Sequence, residues 1–149
     1  MNPAVAGYSG TPLPRKLGIK PEARVGLISA PVDFEQTLGE LPPGVTVLRR
    51  LTGTFDVIVA FFTRGDELEA RLPKLRAALD QAGGLWVAWP KRSSGVETDL
   101  GDGPVRELGL AAGLVDNKVA AIDATWSGLR FVYRLADREP ADLPARRRT

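Results

Sequence analysis

The 149-residue chain contains neither cysteine nor histidine. Without cysteine there are no disulfides, thiolate metal sites, iron–sulfur ligands or thiol nucleophiles. Without histidine the commonest metal ligand is gone, and so are the usual base near neutral pH and every Ser–His or Cys–His nucleophile pair. Any chemistry is left to Asp, Glu, Lys, Tyr, Ser and Thr, and no metal site is expected. Long apolar runs are missing too. The longest, residues 57–62 and 85–90, are six residues each, whereas a membrane-spanning helix needs about 20. The first ten residues lack a basic stretch followed by an apolar segment and a small-residue cleavage site, so the expected address is cytoplasmic.

Charge of one sign is also scarce. The formal charge is +2, but Arg146, Arg147 and Arg148 stand together near the end, and subtracting those three leaves −1. The body of the chain therefore lacks the basic signature of a nucleic-acid-binding domain. Residues 137–149 are expected to form a disordered tail. What remains is an ordinary globular mixture, 44% hydrophobic and 26% charged, of a length that supports one domain with a single core.

Residues 1–23 hold Gly7, Gly10, Pro12, Pro14, Gly18 and Pro21, a lead-in with at most a short turn at 15–17. Residues 24–29 (RVGLIS) form a buried strand stopped by Ala30-Pro31, and Asp33 can cap a short helix over 34–41. Pro42-Pro43-Gly44 ends that helix. Residues 45–51 alternate apolar and polar side chains, which fits a strand near a sheet edge. Residues 55–62 (FDVIVAFF) are apolar nearly throughout, as in a strand covered on both faces.

Leu68, Leu72, Leu75, Leu79 and Ala82 recur at steps of four and three. That period predicts a helix over 66–82, kinked or divided by Pro73 and ended by Gly83-Gly84. Residues 85–89 (LWVAW) are a short buried strand whose alternation sets Leu85, Val87 and Trp89 against Trp86 and Ala88. After a polar loop, Pro104 opens a helix that Gly113 closes. Residues 115–122 and 129–135 are two strands joined by a connection too short for a parallel crossover, hence an antiparallel hairpin. The expected architecture is an α/β, Rossmann-like three-layer sandwich over residues 24–136. Its six-stranded sheet is mainly parallel, with a C-terminal antiparallel hairpin.

In such a sheet the ligand crevice lies beyond the C-terminal strand ends, so residues 29–33, Thr63-Arg64 and 90–95 should converge there. Lys91, Arg92, Ser93 and Ser94 offer two cations and two hydroxyls for a small anion, the alternative being a solvated polar loop. The Gly-x-x-x-x-Gly-Lys pattern of a phosphate-binding loop is absent. Lys118 beside Asp116 makes an acid–base pair if buried; otherwise Asp116 and Asn117 are turn residues and Lys118 lies on the surface. Trp89 and Trp126 either pack in the core or wall a pocket. The segment Tyr8-Ser9-Gly10-Thr11 could close over the crevice or cover a sheet edge. The candidate ligand-binding set is Lys91, Arg92, Ser93, Ser94, Asn117, Lys118, Asp123 and Trp126.

Residues 6–20 (AGYSGTPLPRKLGIK), 89–100 (WPKRSSGVETDL) and 113–130 (GLVDNKVAAIDATWSGLR) together resemble the bacterial domain-of-unknown-function 3052 family, a resemblance that implies a fold and no activity. The order LGIKPEARVGLI, FDVIVAFF, GGLWVAW and a terminal hairpin is similar, more distantly, to a shortened S-adenosylmethionine-dependent methyltransferase. That likeness implies a glycine-rich turn after the first strand and a downstream acidic residue on the ribose. Here the turn is Ser29-Ala30-Pro31-Val32-Asp33, the acidic residue has no clear counterpart, and one strand is missing. The favoured expectation is a non-catalytic or regulatory module that binds a small anionic ligand or a protein partner, with homodimerisation open. A degenerate methyltransferase-like enzyme is the alternative.

Overall fold

The computed structural model describes residues 10–139. Its strands are β1 (Arg24–Ile28), β2 (Thr46–Leu48), β3 (Phe55–Phe61), β4 (Leu79–Pro90), β5 (Leu114–Ala121) and β6 (Trp126–Tyr133). They form one sheet in the order β2-β1-β3-β4-β6-β5. β1 pairs in parallel with β2 and β3, and β3 pairs in parallel with β4. β6 is antiparallel to both β4 and β5. The apolar run of β3 thus lies inside the sheet, and the short, partly exposed β2 lies at its edge, as their patterns require.

Alternation along the strands divides the core into two layers. On one face Ile58, Ala60, Leu85, Val87, Trp89 and Phe131 pack against α3 (Gly65–Ala78) and α4 (Asp102–Ala111), chiefly through Leu68, Leu72, Leu75 and Val105. On the other, Val25, Leu27, Val59, Phe61, Trp86 and Ala88 meet α1 (Leu13–Leu17) and α2 (Phe34–Leu38) through Leu13, Leu17, Phe34 and Leu38. Trp86 is fully buried, and its indole Nε1–H donates to the Leu17 carbonyl at 3.0 Å. A buried ring nitrogen wants such a partner, and this one ties the lead-in to the sheet.

The structure corrects several sequence expectations. The lead-in holds a true helical turn, because Leu13 and Leu17, four residues apart, can bury one face together. α2 ends at Leu38, and Asp33 at its N-cap position makes no side-chain capping bond. α3 is one helix through Pro73. The carbonyl that loses its partner belongs to exposed Glu69, where water can replace the amide.

α3 also stops at Ala78 rather than Ala82, since Leu79 leaves the helix to pair with Phe55. Between there and the Val57–Gly84 pairing the register shifts, with Asp80 Oδ2 accepting from the Ala82 amide. Gly83 and Gly84 are therefore strand residues. A Cβ on Gly83 would stand 2.5 Å from the Asp56 carbonyl oxygen, and one on Gly84 would stand 2.4 Å from Arg130 Nε. Close approach, not helix termination, explains the pair. After β6, Leu135–Asp137 is a single 3-10 turn; of the expected tail, residues 140–149 lie outside the described residues, as do Tyr8 and Ser9. No described helix is long and apolar enough to cross a membrane.

Candidate functional site

Strands β1 to β4 end at one edge of the sheet, and antiparallel β6 begins there. The turn after β1, the residues after β2 and β3, Lys91 and the β5–β6 hairpin consequently share that edge. Ser29, the first residue of the β1–α2 turn, has φ 56°, a left-handed conformation that a non-glycine residue adopts at a cost. Arg49, the first residue after β2, holds the turn in place. Its Nη1 and Nη2 donate to the carbonyls of Ala30 and Pro31 at 3.1 and 2.8 Å. Its Nε and Nη2 reach Glu35 Oε2 and Oε1 of α2 at 3.0 and 2.6 Å. The hydrogen bonds from Arg49 hold the Glu35 carboxyl below its ordinary value of 4.5, and the carboxylate in turn raises Arg49.

Beside this turn lies an open groove of about 1630 Å³ between α1, α2 and the β5–β6 hairpin. Gly10 and Thr11 stand at its lead-in end, α1 contributes Arg15 and Lys16, and Asp33, Lys91 and Asp123 come from the strand-end loops. Lys91 is placed by β4: Pro90 has no amide hydrogen, and the next amide, that of Lys91, donates to the Thr125 carbonyl at 2.7 Å. Lys91 itself is half-buried and lines the groove. Among the described residues no carboxylate pairs with its ammonium. Asp123 Oδ1 accepts the amides of Thr125 and Trp126, both at 2.8 Å, which shapes the hairpin.

The other candidate residues are dispersed. Arg92, Ser93 and Ser94 form a 3-10 turn whose bonds close on themselves. The Ser94 amide and hydroxyl both donate to the Lys91 carbonyl, and the Ser94 oxygen accepts from the Val96 amide. Arg92 and Ser93 are exposed and do not line the groove. Asn117 and Lys118 sit in β5, at an irregularity opposite Arg130, and both are exposed. Asp116 is bound by Arg106 of α4, with Nε and Oδ2 3.0 Å apart, so neither the Lys118–Asp116 pair nor a turn at Asp116-Asn117 is formed. Lys118 Nζ instead approaches the Lys16 carbonyl at 3.4 Å.

Trp126 packs edge-on against Phe61, which packs edge-on against Phe34, with 5.0 Å between centroids in each pair. This row of rings joins the hairpin to α2 and stands outside the groove lining. Trp89 is buried on the α3–α4 face. Sequence reasoning missed the contributions of Arg15, Lys16 and Arg49. Leu13 and Leu17 in one register was the available signal for α1; nothing local marked Arg49, whose partners lie 14 to 19 residues away. A second cleft, of about 490 Å³, lies between α3 and α4 and is rimmed by Asp66, Glu69, Asp99 and Glu107. Asp66 is paired with Arg64, Asp99 accepts the Gly65 amide, and the described residues hold no cluster arranged for a metal ion.

No family model and no curated protein matches the chain. Solved structures do. A SAM-dependent methyltransferase from Aquifex aeolicus matches with a TM-score of 0.53 and 16% identity, over 78% of this chain and 85% of that one. Magnesium protoporphyrin IX methyltransferase from Synechocystis PCC 6803, solved with bound SAH, gives 0.52 and 9%, over 82% and 78%. A methyltransferase of calicheamicin biosynthesis, also SAH-bound, gives 0.56 and 15%, over 82% of this chain and 52% of that chain. At these identities the likeness is one of fold: the chain has a Rossmann-like, methyltransferase-type α/β architecture.

Proposed function

We propose that the chain is a ligand-binding module on a methyltransferase-like scaffold, taking a small molecule with a phosphate or carboxylate group into the groove beside α1 and α2. The observation that carries this reading is Lys91, half-buried in the groove wall with no described carboxylate on its ammonium. A cation in a concave, partly dehydrated site is a natural anchor for an anion. The same groove also presents Asp33, so the ligand need not be purely anionic.

S-adenosylmethionine is the ligand that the fold brings to mind, and the residues do not fit it. An adenosyl cofactor in this architecture approaches the backbone of the turn after β1 and is gripped by a carboxylate farther on. Here the turn has no glycine, its Ala30 and Pro31 carbonyls face the Arg49 guanidinium, and the residue following β2 is that arginine. One feature favours the methyltransferase reading: Ser29 keeps the left-handed backbone that a glycine would adopt at ease.

Two measurements separate these readings. Calorimetric titration with S-adenosylmethionine is expected to show no binding, and a dissociation constant in the low micromolar range would replace the module with the enzyme. A thermal-shift panel of phosphorylated metabolites is expected to find at least one that stabilises the wild type. Lys91→Ala should weaken that ligand by about 1 kcal/mol or more. If no metabolite acts, or the variant responds equally, the anion groove is abandoned in favour of an interaction module.

A further inference from the structure

The groove beside α1 and α2 is longer than one anionic group requires. Pro21 and Pro43 close it just ahead of β1 and β2, where the Glu22 amide donates to the Pro43 carbonyl at 2.9 Å. Asp33, Lys91 and Asp123 stand at its other end, past the strand termini. It therefore runs the length of β1, which is five residues. An extended ligand chain of the same number of residues, at about 3.3 Å each, spans that distance.

The two walls differ in sign. The α1 wall carries Arg15 and Lys20, and the α2 wall carries Asp33 and Glu40 at the two ends of the helix. All four are exposed, and none forms an ion pair with a described residue, so the walls do not neutralise each other across the gap. Between them Leu13, Ile19, Leu38 and Ile122, all buried in the core layer on this face, supply an apolar floor. Pro12, Pro21, Pro42 and Pro43 fix the backbone of the rim, which lowers the cost of ordering it around a ligand.

A compact ion cannot meet charges spaced along both walls. The five residues of α2, about 7.5 Å of helix, separate Asp33 from Glu40. On an extended chain, side chains two apart point the same way at a spacing of roughly 7 Å, and the one between them points the opposite way. A peptide that alternates acidic and basic residues thus faces α1 with its carboxylates and α2 with its ammonium groups. Its own C-terminal carboxylate, at the strand-end edge, meets Lys91.

We propose that the groove is a docking surface for an extended peptide of alternating acidic and basic side chains, with its terminal carboxylate on Lys91. This rests on the reading of Lys91 as the anchor of an anion and narrows the ligand to a peptide.

The test titrates the full chain calorimetrically, at constant ionic strength, with three N-acetylated pentapeptides. These are Glu-Lys-Glu-Lys-Glu as the free acid, the same sequence as the C-terminal amide, and Glu-Glu-Glu-Lys-Lys as the free acid. The two acids share length, composition and net charge, so only the order of their side chains separates them. Saturable binding of the alternating acid is expected, with the block sequence at least tenfold weaker. Arg15→Ala combined with Lys20→Ala should weaken the alternating acid several-fold without lowering the melting temperature, because both residues are exposed. The wild type should prefer the acid to the amide several-fold, and Lys91→Ala should erase that preference. No saturable binding of the alternating acid, or equal binding of the alternating and block sequences, overturns the peptide site. A phosphorylated metabolite that binds where the peptides do not removes the peptide and leaves the anion reading of Lys91 standing. Selection for alternation without preference for the acid supports the peptide and removes Lys91 as its anchor.

Discussion

Arg49 and Glu35 meet in a two-point ion pair, with Nε–Oε2 3.0 Å and Nη2–Oε1 2.6 Å, across the mouth of the turn that joins β1 to α2. The same guanidinium reaches two carbonyls of that turn, so the end of one strand, the loop after another and the first turn of a helix are held by one side chain.

Both partners are more than a third exposed, so water screens the charge interaction and the ion pair alone is a small term. Glu35→Gln is expected to cost less than about 1 kcal/mol at pH 7, and Arg49→Ala, which also strips the two carbonyls, about 1–2 kcal/mol. Because the Glu35 carboxyl lies below 4.5 in the folded protein, its contribution is present above that value and is lost as pH falls through the lowered folded value. Urea denaturation as a function of pH should therefore fall less steeply below pH 4.5 for Glu35→Gln than for the wild type. Parallel curves would show that the pair does not contribute to acid stability.

Ser29 pays for its left-handed conformation at φ 56°. Ser29→Gly relieves that cost but adds freedom to the unfolded chain, and the two effects leave a gain of about 0.5 kcal/mol. Ser29→Val, β-branched, should lose about 2 kcal/mol. Thermal unfolding of the two variants checks the opposite signs.

Gly109, on the buried side of α4, lies under Phe131 of β6, and a Cβ there would stand 2.1 Å from the ring. The helix cannot back away without losing Val105 and its other contacts with the sheet. Gly109→Ala is expected to destabilise by about 2–3 kcal/mol despite the better helix propensity of alanine. Phe131→Leu in the same chain should return part of that loss, and a double-mutant cycle measures the coupling. Additive effects would mean that the ring moves freely.

Much of the fold was legible because the apolar pattern and the packing ask for the same thing. FDVIVAFF is apolar on both faces and lies inside the sheet; LWVAW alternates, and its two faces enter two separate core layers. Pairing of β1, β3 and β4, and the antiparallel final hairpin, follow from short buried strands and connection lengths. The site was less legible. Lys91 could be placed because Pro90 ends its strand, but Lys118 could not be paired from sequence. Its neighbour Asp116 is taken by Arg106 from the preceding helix, ten residues away.

The sequence by itself determined the architecture, the absence of thiol and imidazole chemistry, and the emergence of Lys91 at a strand end. These depend on composition and on periodicities of two and 3.6 residues, which local order carries. Tertiary structure alone decided that Arg49 closes the β1–α2 turn, that Gly84 makes room for Arg130 and that the lead-in helix walls a groove. Each joins segments 14 to more than 40 residues apart. Side-chain reach across such distances depends on strand order and register, which no local pattern encodes.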